Sequence, residues 1–124
     1  MPEPPPSRPR VLVVDDEPDT RAMTTDALAP RYDVVAVATL AEAAASAAAL
    51  LPAAIVLDLG LRGESGWDLV LTLPEDAPLR RVPIIVLSAR PPVEPPPGVG
   101  AWAAYLTKPC PMARLRDVLG SVVR

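Results

Sequence analysis

Arg10-Val11-Leu12-Val13-Val14-Asp15-Asp16-Glu17-Pro18 (RVLVVDDEP, residues 10–18) is the stretch from which the fold follows. Four apolar residues in succession, without the alternation of a half-exposed strand, describe a strand buried on both faces. They break off on two carboxylates and a proline, which is turn chemistry. Ala54-Ile55-Val56-Leu57 repeats the pattern and stops on Asp58, and Pro83 to Leu87 (PIIVL) repeats it again and stops at Ser88. Asp33 to Ala38 (DVVAVA) reads as a further strand, and Ala104-Tyr105-Leu106 as a weak fifth.

Helical patterns fall between these runs. Pro18 suits the first turn of a helix that Pro30 stops, with a weakly apolar face of Met23, Ala27 and Leu28. Thr39 and Glu42 form a capping box, behind which Leu40, Ala44, Ala47, Ala48 and Leu51 recur at helical spacing up to Pro52. Ser65 is placed to cap a short helix to about Leu73, and Met112, Leu115, Leu119 and Val122 make a clean amphipathic helix at the end. Continuous apolar strands alternating with helices predict an α/β domain with a parallel sheet covered on both faces. Right-handed crossovers then favour a flavodoxin-like, doubly wound five-stranded sheet of order 2-1-3-4-5.

Composition agrees. The chain has 124 residues, enough for one domain, and half are hydrophobic, yet there is no Phe and aromatics are 3%. The core is therefore built of Val, Leu, Ile and Ala. A net charge of −3 argues against direct nucleic-acid binding. The longest uncharged stretch, Ala43–Leu57, is 15 residues and is broken by Pro52, too short to span a membrane. Cys110 is the only cysteine, so no internal disulfide forms; with no signal-peptide pattern at the start, a cytoplasmic location is expected. The absence of His excludes a Ser-His triad and a His-based zinc site. Residues 1–9 hold five prolines and read as a disordered tail ahead of a domain at 10–124.

In a sheet of this order ligands bind beyond the carboxyl ends of the strands, near the point where the order reverses. Asp15, Asp16, Asp58, Ser88 and Lys108 should then share one edge. Singly each has an ordinary explanation: a capping or turn Asp, a strand-end Ser, a solvated Lys. Together, three carboxylates would repel unless neutralised, and Mg²⁺, which favours oxygen donors, is the natural partner. Lys108 is the single lysine beside eleven arginines, a compact charge suited to a phosphate or carboxylate oxygen.

VLVVDDEPDTR, IVLDLGLRGESGWDL, PIIVLSAR and YLTKP, in this order over roughly residues 9–124, resemble the successive signatures of the response-regulator receiver domain of two-component signalling. The resemblance implies that Asp58 is the phosphoacceptor, taking a phosphoryl group from a sensor histidine kinase or phosphotransfer protein. It implies that Asp15 and Asp16, with Asp58 and the backbone carbonyl of Gly60, hold Mg²⁺. Ser88 and Lys108 would contact the phosphoryl oxygens, Lys108-Pro109 would be cis, and Tyr105 would be either an aromatic switch or simple edge packing. Such a protein is not a turnover enzyme; its chemistry is Mg²⁺-dependent phosphoacceptance and self-dephosphorylation. A phosphatase on the same fold type usually has a second Asp two residues after the nucleophile, where this chain has Gly60.

One segment departs from the family. Pro91 to Pro97 (PPVEPPP) falls where the family has its fourth helix, and five prolines in seven residues predict an extended, proline-rich loop instead. Val93, Val99 and Trp102 would fold over the uncovered sheet, or a partner would cover it. A second function class follows: a phosphorylation-independent interaction module using the 91–104 face. A homodimer or another protein would dock through 91–105 and the last helix. With nothing after Arg124, a stand-alone receiver and a piece of a longer protein both remain open.

Overall fold

The computed structural model describes residues 8–58, 81–89 and 103–123. Five strands, β1 (Arg10–Val14), β2 (Asp33–Val37), β3 (Ala54–Leu57), β4 (Ile84–Ser88) and β5 (Ala104–Thr107), form one parallel sheet in the order β2-β1-β3-β4-β5. This is the flavodoxin-like topology that the apolar runs predict. The expected short helix from Ser65, the proline-rich stretch 91–97 and Trp102 lie outside the described residues.

The sheet is buried on both faces because successive side chains of each strand face opposite ways. On one face Leu12, Val14, Ile55, Leu57 and Val86 pack against Leu40, Ala43 and Ala47 of α2 (Leu40–Leu50). On the other, Val11, Val13, Val56, Ile85, Leu87 and Leu106 pack against Leu28 of α1 (Pro18–Leu28), Tyr32, and Leu115 and Leu119 of α3 (Met112–Val122). Among the described residues Tyr32, in the second of these sets, is the one buried aromatic, and the core is otherwise aliphatic, as a chain without Phe must build it.

Helix ends follow local chemistry. Thr39 caps α2 by accepting from the Glu42 N–H at 3.2 Å, and its hydroxyl donates to Glu42 Oε1 at 3.1 Å. The helix closes at Leu51, whose φ of 41° is left-handed. The inward face of α2 differs from the sequence expectation: Ala43 is fully buried, Ala48 is exposed, and Leu51 is swung outward by the left-handed turn before Pro52. On α1 it is Thr24, not Met23, that faces the core beside Leu28, and the Thr24 hydroxyl is satisfied by the Thr20 carbonyl at 2.8 Å. At the chain start, Arg8 donates to the Ala29 carbonyl at 2.8 Å and the Pro9 carbonyl accepts the Asp33 N–H at 2.9 Å, so these last two residues of the proline-rich tail are tied to the domain.

Gly120 lies in the last turn of α3, exposed, and a Cβ there would meet nothing within 4 Å. Gly120→Ala is expected to raise stability by about 0.5–1 kcal/mol, by restricting the unfolded chain and favouring the helix. Urea denaturation checks this; a loss of stability would contradict it.

Candidate acidic phosphoacceptor pocket

Each apolar strand that crosses the core must meet polar groups where it leaves, and the parallel order places four such exits side by side. β1 runs into Asp15 and Asp16, β3 into Asp58, β4 ends on Ser88 and β5 leads into Lys108. The ladder holds these exits in register: the Asp58 N–H donates to the Val14 carbonyl at 3.0 Å, and the Lys108 N–H to the Ser88 carbonyl at 2.8 Å. Ser88 stands opposite Thr107.

Asp15, Asp16 and Asp58 each bring a carboxylate oxygen within 4.8 Å of the other two. Lys108 Nζ lies between two of them, donating to Asp15 Oδ2 at 3.1 Å and to Asp58 Oδ2 at 3.2 Å. Asp15 is buried and the other members are half-buried, so these charges feel one another strongly. Burial of the ammonium is the largest single influence on Lys108 and favours its neutral form. The hydrogen bond to Asp15 and the charges of Asp58 and Asp15, with the hydrogen bond to Asp58, outweigh it, and the pKa rises above the usual lysine value of 10.5. Lys108 therefore carries its charge at neutral pH.

Asp15 is held through all four of its backbone and carboxylate polar atoms. Its N–H donates to the Val37 carbonyl at 3.1 Å, and its Oδ1 accepts the Glu17 N–H at 2.9 Å. Its carbonyl accepts from Arg21 Nη1 at 2.8 Å, and its Oδ2 accepts from Lys108. Arg21 reaches the site through a main-chain carbonyl, a contact that leaves no motif in the sequence.

The structure thus gathers Asp15, Asp16, Asp58 and Lys108. Ser88 is buried at the adjoining strand end. Tyr105, opposite Val86, is half-buried and packs on the α2 side of the sheet, three residues before Lys108. The Lys108-Pro109 bond is cis. Gly60 lies outside the described residues. Three carboxylates facing one space are a hard-oxygen donor set, which fits Mg²⁺ and disfavours thiophilic metals.

Comparison with known proteins agrees with this geometry. The family model for the response regulator receiver domain matches residues 11–120. The transcriptional regulatory protein KdpE of Mycobacterium tuberculosis is 39% identical over 119 residues, which cover 92% of this chain and 50% of that protein. The sensor histidine kinase TmoS of Ectopseudomonas mendocina is 36% identical over 84 residues, 68% of this chain and 9% of the kinase. The chain thus spans half, or far less, of the length of these relatives. Among solved structures, the chemotaxis response regulator CheY4 of Vibrio cholerae superposes with a TM-score of 0.81 at 26% identity, over 94% of this chain and 100% of that one. A Burkholderia pseudomallei response regulator with a phosphorylated aspartic acid and a calcium ion superposes with a TM-score of 0.75 at 25% identity, over 90% of this chain and 66% of that one. A five-stranded sheet in the order 2-1-3-4-5, an acidic cluster at its carboxyl edge and a family match over nearly the whole chain lead to one conclusion: the chain belongs to the response regulator receiver domains of two-component signal transduction, a family in which phosphorylation is typical.

Proposed function

We propose that this receiver domain is a phosphorylation switch in which Asp58 accepts a phosphoryl group from a phosphohistidine of a sensor kinase or phosphotransfer protein. The observation that carries the reading is the meeting of three carboxylates within 4.8 Å with the chain's one lysine bonded to two of them. An Asp58 carboxylate oxygen forms the new P–O bond while the P–N bond to the imidazole breaks, and the nitrogen keeps the electron pair. A carboxylate oxygen attacks directly, so no general base is needed. What the site must supply is position and positive charge, because the transferring group spreads negative charge over its oxygens.

Asp15, Asp16 and Asp58, with the Gly60 carbonyl, are the groups that would hold Mg²⁺. When bound, the ion supplies charge neutralisation for the phosphoryl oxygens. Lys108 supplies a second positive charge, and the hydroxyl of Ser88, at the end of β4, would contact a phosphoryl oxygen. Tyr105 is the half-buried aromatic through which a change at Ser88 would be passed on, and hydrolysis of the acyl phosphate would reset the switch. The kinase relative and the regulator relative support a kinase as the donor. Among the described residues no helix is long and apolar enough to cross a membrane.

Incubation with acetyl phosphate and Mg²⁺ is expected to add the mass of one phosphoryl group per chain, labile in mild base as an acyl phosphate is, and chelation of Mg²⁺ should prevent it. Folded protein that takes up nothing from acetyl phosphate or from a phosphorylated kinase would overturn the proposal.

A further inference from the structure

Arg21 stands in the first turn of α1, whose N-cap is Glu17 and first residue Pro18. A cation there works against the helix dipole, whose positive end lies at the N-terminus. Its guanidinium nevertheless lies half-buried, turned back along the chain, with Nη1 donating to the Asp15 carbonyl at 2.8 Å. That carbonyl belongs to the peptide joining Asp15 to Asp16. A peptide unit is planar from one Cα to the next, so holding its oxygen restrains that plane; with the planes on either side held by the Val37 carbonyl and by Asp15 Oδ1, the dihedrals that aim both side chains are restricted.

We propose that Arg21 is a positioning residue of the acidic pocket. By pinning the Asp15–Asp16 peptide, it sets how the two carboxylates converge and hence how tightly they hold Mg²⁺. The inference rests on the reading of Asp15, Asp16 and Asp58 as the Mg²⁺ site and adds a residue that touches neither the ion nor the phosphoryl group. The other ties to Asp15 do not replace it, since the Val37 carbonyl holds its N–H and Glu17 and Lys108 hold its carboxylate. The sign of the effect separates two roles. A guanidinium acting only through its charge would repel a divalent cation, so its removal would tighten Mg²⁺ binding. A guanidinium that holds the peptide in place would on removal weaken it.

The test is calorimetric titration of Mg²⁺ into the parent chain, Arg21→Met and Arg21→Lys, with thermal unfolding in chelator as the check on folding. Arg21→Met is expected to weaken Mg²⁺ binding about tenfold, the low end of what loss of an outer support does to a metal site. Arg21→Lys should fall between, because an ammonium can donate one bond to the same carbonyl. Phosphoryl uptake should need more Mg²⁺ for half-maximal rate yet reach the parent rate at saturation, a split that a general loss of structure would not give. Binding by Arg21→Met that is unchanged within twofold, or tighter, overturns the inference. Should Arg21→Met fail to fold, Arg21→Lys decides by the same comparison, and equality with the parent overturns it. A parent chain that binds no Mg²⁺ sinks the metal-site reading along with the inference. A parent that binds Mg²⁺ and takes up phosphate while the variants match it sinks the inference alone.

Discussion

Asp58→Asn is expected to end phosphoryl uptake altogether and, in metal-free buffer, to raise folding stability by about 1–2 kcal/mol. The two effects share one cause. Asp58 faces two carboxylates within 4.8 Å and one ammonium at 3.2 Å. With an effective dielectric constant of about 20, each repulsion is of order 3–4 kcal/mol and the attraction about 5 kcal/mol before screening by salt, so removing the charge relieves two repulsions and gives up one ion pair. Asn keeps the shape and removes the charge, along with the nucleophilic oxygen. Lys108→Met should move stability the other way, by about 2–3 kcal/mol, because it removes the ammonium that bonds two of three crowded carboxylates. Mg²⁺ should reverse the ranking, stabilising the parent and Lys108→Met more than Asp58→Asn, since a ligand adds stability according to its affinity for the native state. Urea denaturation of the three proteins with and without Mg²⁺ checks this. A destabilised Asp58→Asn in chelator would show that the pocket is not under electrostatic strain, and phosphate uptake by that variant would remove Asp58 from its proposed role.

The charged edge was legible because a buried strand has no reason to end on a carboxylate. β1 beyond Arg10 and the whole of β3 are apolar up to Asp15 and Asp58, and parallel pairing of known order places strand ends side by side. Lys108 was legible for a different reason, its singularity among eleven arginines. Where a face of a helix had to be read from hydrophobicity, the sequence was less informative. α2 is so rich in Ala that hydropathy carries little angular information, and the burial of Ala43 rather than Ala48 is decided by the sheet beneath it. On α1 a buried Thr24 and an exposed Met23 reverse hydropathy, because a hydroxyl bonded to the preceding turn no longer resists burial. Arg21 shows the remaining limit: a side chain that acts on a backbone carbonyl depends on geometry that no residue pattern encodes.

Leu115→Ala should have the largest effect on stability of any truncation in α3, a loss of about 3–4 kcal/mol and about 10–15 °C in Tm. The N-cap of α3 is Pro111, with no side-chain hydrogen bond to the first turn, so burial must hold the helix to the sheet. Within it only Leu115 and Leu119 are fully buried, set among Val11, Val13, Val56, Ile85 and Leu106. These neighbours are branched and short, locked in a close-packed parallel sheet, and have little freedom to close over a cavity. For a domain whose total stability is of order 5–15 kcal/mol, such a loss is a large share. Leu51→Ala is the matched control: the same substitution at a residue 52% exposed should change stability by less than about 0.5 kcal/mol. Phosphoryl uptake by Leu115→Ala below its Tm should persist, because Lys108 is positioned from the strand side, through its N–H bond to the Ser88 carbonyl and its ion pairs with Asp15 and Asp58. Loss of uptake in a still-folded Leu115→Ala would mean that the seating of α3, and not the sheet edge, sets the position of the lysine.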